Sequence, residues 1–306
     1  MGKGSVGQMQ PAFYYRHSGM TIASDLALPE WEHFRAPAVD CPDVRIELAD
    51  ASPPTFADDS EVTVADGTLR FAIPGIGGWE IVDGETIRLY PGLAADPAEL
   101  RLFTLGSAWA ALGYLRGYAM WHGSCVQRGE GAVLVCGEAG AGKSTLAAAL
   151  VARGAALVAD DLSRVDATTN HTKIFPSASR IKLWREAMDC LEWGDRRTGR
   201  DWLREDKFHC APQTLTQGSS PVLLHAIVVL GESAQLGLTR LEGGAAVSAV
   251  LQGTVYRPQM LDALAAWGGQ GAAAARAAAT TPIYRLARPK DFAKLDESCA
   301  AIEALF

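Results

Sequence analysis

The chain has no apolar run approaching ~20 residues, so it offers no helix that could span a membrane. Its first residues, Met1-Gly2-Lys3-Gly4-Ser5-Val6, lack the apolar core of a secretory signal, and Val6 stands where N-myristoylation needs Ser or Thr. There is no excess of positive charge. With 28 Lys and Arg against 35 Asp and Glu, the net charge is −7 and the pI near 5.4. That removes the broad electrostatic case for nucleic acid or an anionic membrane surface as a partner. The six cysteines, Cys41, Cys125, Cys136, Cys190, Cys210 and Cys299, are scattered without a C-x-x-C spacing, and several sit in apolar runs. This pattern predicts reduced thiols rather than a disulfide or zinc framework, and with them a cytoplasmic protein. Internal repeats are absent as well. What is left is the composition of an ordinary soluble protein, 48% hydrophobic and 21% charged over 306 residues, with room for two moderate domains.

What is present is one strong motif. Gly137-Glu138-Ala139-Gly140-Ala141-Gly142-Lys143-Ser144-Thr145 is a complete G-x-x-x-x-G-K-S/T phosphate loop. It follows the apolar run Gly131 to Cys136 and opens an Ala/Leu-rich helix from Leu146 to Arg153, so the strand, loop and helix that the motif requires are all in place. The glycines let backbone N–H groups face phosphate, and the helix N-terminus adds its positive dipole end. Lys143 is expected to reach the β- and γ-phosphates of a nucleotide, and the Ser144 hydroxyl to ligate Mg²⁺. Gly154 then stops the helix, and Leu157-Val158-Ala159 reads as a short buried strand ending at Asp160-Asp161. Adjacent strand residues point to opposite faces, which predicts a division of work between a metal contact and a base for a substrate hydroxyl.

Before the motif, residues 1–11 are expected to be disordered and residues 12–95 to form a small, mostly antiparallel β domain for packing or substrate docking. Its short alternating segments include Phe13 to Arg16, Val44 to Leu48, Thr68 to Ile73, Trp79 to Val82 and Thr86 to Tyr90, with Asp66-Gly67 and Asp83-Gly84 as hairpin turns. His17 and His33 are isolated and read as structural. A capped helix begins after Asp96-Pro97, carrying Leu102, Phe103, Leu105, Trp109, Leu112 and Leu115 at helical spacing, and the domain boundary falls just before it. The hairpin Ala119 to Cys136 should then deliver the phosphate loop, with His122 near its open end. Beyond Asp161, Arg180 and Lys182 offer two cations, and Arg196, Arg197, Arg200, Arg204 and Lys207 form a basic loop. Arg257 stands at a helix start. Ala263 to Ala279 reads as a surface helix broken at Gly268-Gly269-Gln270-Gly271.

His122-Gly123, the short hairpin, the phosphate loop, Arg153-Gly154 and Leu157-Val158-Ala159-Asp160-Asp161 resemble the catalytic half of HPr kinase/phosphorylase in order and spacing over about residues 115–165. More loosely, Ile181 to Trp184 and His225 to Leu230 extend the resemblance. It implies that residues 96–306 are an α/β phosphate-loop kinase domain distantly like phosphoenolpyruvate carboxykinase, using ATP and Mg²⁺ to phosphorylate a serine of a peptide or protein. It further implies an active-site role for His122, a nucleotide and metal role for Lys143 and Ser144, and a base and a Mg²⁺ contact from Asp160 and Asp161. Either aspartate fits either task, with Asp160 favoured as base and Asp161 as metal ligand. Arg180, Lys207 and Arg257 are candidate phosphate or substrate contacts. One departure is that the loop ends Lys143-Ser144-Thr145, where the family usually has Lys-Ser-Glu. Size and layout resemble the branch that phosphorylates lasso-peptide precursors, so a ribosomally made precursor peptide is the expected partner, and the family's ring assemblies imply a homo-oligomer. A small-molecule kinase, an HPr-type protein kinase of the same fold and a nucleotide-dependent regulatory ATPase are the alternatives.

Overall fold

A computed structural model describes residues 12–49, 62–167, 170–201 and 204–306. The disorder expected of residues 1–11 lies outside them. Turn chemistry organises the first sheet. Asp66 and Gly67 take φ of 49° and 73°, and Asp83 and Gly84 take 51° and 67°, the paired positive angles of tight hairpin turns. The strands are β1 (Phe13–His17), β2 (Met20–Ser24), β3 (Val44–Leu48), β4 (Thr63–Ala65), β5 (Thr68–Ile73), β6 (Gly77–Val82) and β7 (Thr86–Pro91). They lie in the order β1-β2-β3-β7-β6-β5-β4. The β2–β3 and β3–β7 pairs are parallel and the others antiparallel.

The next segment is α1 (Pro97–Phe103), a π turn over Thr104–Ala108 and α2 (Trp109–Leu115). Asp96 caps it, accepting from the Ala98 amide at 2.7 Å. A boundary before Asp96 assigns this helix to the second half, yet its apolar side is packed on the first sheet. Leu100, Phe103, Trp109 and Leu112 share one core cluster with Trp79, Ile81, Ile87 and Leu89, and Met120, Leu162 and Met260 from further along the chain join it. Trp79 Nε1 donates to Thr104 Oγ1 at 3.0 Å, locking sheet to helix. The core therefore crosses the expected boundary.

Downstream come β8 (Ala119–Arg128), β9 (Gly131–Cys136), α3 (Lys143–Ala152), β10 (Ala156–Asp166), β11 (Lys173–Ile174), β12 (Ile181–Trp184), α4 (Arg185–Cys190), β13 (Arg197–Arg200) and β14 (Lys207–Cys210). After them are β15 (Val222–Glu232), β16 (Gly237–Leu241), α5 (Gly243–Thr254), α6 (Pro258–Ala263), α7 (Trp267–Thr280), β17 (Ile283–Arg288) and α8 (Leu295–Glu303). The second sheet runs β11-β10-β8-β9-β15-β17-β16, and β11 also pairs with β15, so five of its strands close into a ring. β9, β15 and β17 are mutually parallel in that order. One apolar cluster joins the sheet to α3 and α8, another to α5 and α7. The protein is thus a mixed α/β structure with several sheets, and among its described residues no helix is long and apolar enough to cross a membrane.

Three expectations are corrected. The strand at Asp160-Asp161 does not end there but continues to Asp166, because β8 pairs with it as far as Val165. The basic stretch is not a free loop. Its ends are β13 and β14, which join β12 in a three-stranded sheet, and Arg197 lies 4.4 Å over the Phe208 ring. Finally, α7 runs straight through Gly268 to Gly271, while the break falls at Ala265, where φ is 50°. Buried Gln270, Ala273, Ala274 and Ala277 supply tertiary contacts that outweigh the poor helix propensity of glycine.

Candidate active site

The phosphate loop connects β9 to α3. Gly137, Gly140 and Gly142 take φ of 136°, 78° and 92°, angles that favour glycine. A Cβ at Gly142 would collide with the Arg288 guanidinium, whose Nη2 donates to the Ala141 carbonyl at 2.9 Å. Lys143 opens the helix with its ammonium folded into the curve of the loop, donating to the carbonyls of Gly137 and Glu138 at 2.8 and 2.9 Å. Burial disfavours that charge and lowers the Lys143 pKa.

Asp160 is the hub. Its Oδ1 accepts from Ser124 Oγ at 2.7 Å and from Ser144 Oγ at 2.8 Å, and its Oδ2 accepts from the Lys182 amide at 3.0 Å. Burial raises its pKa, against the pull of those donors. Asp161 takes φ of 88°, a left-handed angle inside a strand. Asp tolerates that region better than most residues, at a cost of about 1–2 kcal/mol. The twist breaks the alternation expected of neighbouring residues, so both carboxylates face one cavity. Lys182 Nζ donates to Asp161 Oδ2 at 2.8 Å, and that ammonium, ahead of other groups, holds the Asp161 carboxyl well below the usual carboxylate range.

His122 Nε2 is 3.6 Å from Asp161 Oδ1, and its ring meets Tyr256 edge to face. Burial, with Lys143, Lys207 and Lys182 nearby, outweighs Asp161 and brings the His122 pKa down to about 4. The imidazole is therefore neutral at pH 7. We expect its proton resonances to titrate near pH 4, and His122→Gln to leave the shape of any activity profile between pH 6 and 8 unaltered. A His122-dependent inflection near pH 6.5 would contradict this.

Lys143, Ser144, Asp160, Asp161, His122, Arg180, Lys207 and Arg257 all line one cavity of about 880 Å³, together with Ala139 to Gly142 and Thr145. Gly137 and Glu138 do not line it, since their carbonyls turn to Lys143. Arg180 is drawn toward Glu30, at 3.6 Å, and Glu30 also takes Arg101 Nε on both oxygens at 3.1 Å. Among the described residues, the buried Nε atoms of Arg257 and Arg288 have no hydrogen-bond partner. Lys207 lies 5.7 Å over the Trp184 ring, and burial lowers its pKa.

The sequence pointed less clearly to other members. Ser124 was not singled out, although its place two residues from His122 on one strand, and so on its face, was the signal that could have found it. Lys182 stood out as a cation, but its pairing with Asp161 depends on β12 folding against β10. The N-terminal region also reaches the cavity, through His17 on β1 and through Glu30 and Trp31 in the 3-10 helix Pro29–Phe34 between β2 and β3. His17 stacks on Trp31 at 4.1 Å, and burial brings its pKa down to about 3.

The family described as HPr Serine kinase C-terminal domain matches residues 114–188, the stretch from α2 to α4 that holds His122, the phosphate loop, both aspartates and Lys182. Over these residues the chain is similar to that domain. Among solved structures it is similar to the Hpr(Ser) kinase/phosphatase from Coxiella burnetii, at 13% identity over 60% of this chain and 95% of that one, with a TM-score of 0.32. No curated protein matches the chain.

Proposed function

We propose that the chain is an ATP- and Mg²⁺-dependent kinase that transfers the γ-phosphoryl group to a serine hydroxyl of a peptide or protein, with a ribosomally made precursor of the lasso-peptide type as the first acceptor to test. The observation that carries this reading is the meeting of Ser144, at the end of the phosphate loop, with Asp160, directly beside Asp161 and Lys182 in one cavity. The similarity to the HPr Serine kinase C-terminal domain over residues 114–188 supports the same reaction class.

The donor set fits a hard cation. Ser144 Oγ and the Asp160 carboxylate supply two oxygens side by side, while no group of three or more His, Cys, Asp or Glu among the described residues could hold a metal. Such a pair suits Mg²⁺, which binds few protein ligands and keeps phosphate oxygens and water. When bound, Mg²⁺ supplies charge neutralisation at the β- and γ-phosphates. Lys143 leaves its two carbonyls for phosphate oxygens, and the amides at the start of α3 add donors there.

This geometry supports the opposite division from the one favoured from the sequence. Asp160 shares its oxygen with Ser144 and takes the metal side. Asp161, facing His122 and Lys182, takes the acceptor hydroxyl. Because Lys182 holds its pKa low, Asp161 acts more by orienting that hydroxyl than by early deprotonation. Its proton passes to the carboxylate as the O–P bond forms and the bond to the leaving ADP breaks.

The test is intact-mass spectrometry of serine-bearing acceptors, precursor peptides and HPr protein among them, after incubation with the full chain, ATP and Mg²⁺. A phosphoryl-sized gain that is lost in Asp160→Ala supports the reading. ADP release across a broad panel with no acceptor gaining mass would replace it with a regulatory ATPase.

A further inference from the structure

The carboxylates and the phosphate loop account for one end of the cavity and leave the other unassigned. In the second sheet β10, which carries Asp160 and Asp161, lies on one side of β9, and the parallel strands β15 and β17 lie on the other. Ligands of parallel sheets sit beyond the carboxyl ends of the strands. A nucleotide whose terminal phosphate reaches Ser144 and Asp160 therefore runs its nucleoside the opposite way, toward the end of β17. There Arg288 is tied to the loop through Ala141, and Lys290, Asp291, Phe292 and Leu295 form the wall.

Among the described residues five large apolar side chains are exposed, and two of these are aromatic: Trp184 and Phe292. Both line this cavity. Trp184 carries Lys207 at 5.7 Å and Arg204 at 5.8 Å, next to Lys182. Phe292 is 39% exposed, and among the described residues no ring or cation is seated on it. The two polar residues just before it are engaged, Lys290 with Glu232 at 3.0 Å and Asp291 Oδ1 with the Ala293 amide at 2.9 Å.

We propose that Phe292 is the stacking platform for the nucleobase, which is held by its face and not read at its edge. This rests on the nucleotide reading above. Every base presents a π face, and one aromatic–base stack is worth about 5- to 150-fold in affinity, with little preference among bases.

The experiment is calorimetric titration of the full chain, with Mg²⁺, by ADP, GDP and inorganic tripolyphosphate. Phe292→Ala should weaken ADP and GDP alike by about tenfold and leave tripolyphosphate unchanged, while Phe292→Trp should restore both nucleotides. Unchanged ADP affinity in Phe292→Ala overturns the proposal, and so does a loss confined to one of the two nucleotides. An equal loss of tripolyphosphate overturns it too, since the ring would then be shaping the phosphate site. A wild-type chain that binds neither ADP nor tripolyphosphate is a different failure, that of the nucleotide reading itself.

Discussion

Asp160→Asn should lower phosphoryl transfer by about 1,000-fold or more and weaken Mg²⁺-dependent nucleotide binding with it, whereas Asp161→Asn should lower transfer by about 100- to 10,000-fold and leave nucleotide affinity nearly intact. The contrast follows from partners. Asp160 touches Ser144 and Ser124, both hydroxyls at the loop end of the cavity, and an amide there removes charge where a divalent cation needs it. Asp161 accepts its hydrogen bond from Lys182 and not from the phosphate loop, and in the proposed role it holds the acceptor hydroxyl, so its loss is expected at those two groups. Activity and nucleotide titration on the same two preparations separate the roles. Equal loss of nucleotide affinity in both variants would sink the division. Asp161→Asn should also cost about 1–3 kcal/mol of stability, below the range for a fully enclosed pair because the Asp161 side chain is 38% exposed. The sign with pH is fixed by the depressed pKa. The ion pair contributes in full above the ordinary carboxyl value of 3.8 and is lost as pH falls through the lower folded value, so the gap between wild type and variant closes in acid.

Lys143→Met should reduce transfer by about 100- to 1,000-fold while leaving the melting temperature of the nucleotide-free protein unchanged or raised. Lys143 is 7% exposed and its ammonium is held by two backbone carbonyls, with no carboxylate among the described residues in hydrogen-bonding contact. Burying a charge this way is costly, and a methionine of similar shape removes the cost although it leaves the two carbonyls without their donor. Activity and stability thus part company at this position. A variant that loses several degrees of melting temperature would mean that the lysine is a structural clamp first.

The elements that the sequence announced are those whose information is local. Gly137 to Thr145 encode their own backbone angles, and Asp66-Gly67 and Asp83-Gly84 do the same for two hairpins, so their turn types follow from residue identity. What was hidden depends on distant partners. Nothing near Asp161 signals its left-handed φ, which requires β8 on one side and Lys182 on the other. Lys182 and Lys207 look alike as isolated cations, but β12 carries the first onto a carboxylate and β14 carries the second over an indole ring. The glycines of α7 argue for a break that packing against α5 overrides. Phe292 falls just ahead of α8, where a sequence gives no reason to separate it from core.

The wall that the N-terminal region lends to the cavity bears on inheritance. His17, Glu30 and Trp31 come from the first 40 residues, and Ser179 Oγ donates to the Glu30 carbonyl at 2.5 Å from the far half. A recombination joining this phosphate-loop half to a different N-terminal region would bring the loop and both aspartates intact, yet it would remove one side of the chamber and expose the apolar face of α1 and α2. Such a chimera inherits the motif without the vessel. The two halves are therefore expected to change together over evolution.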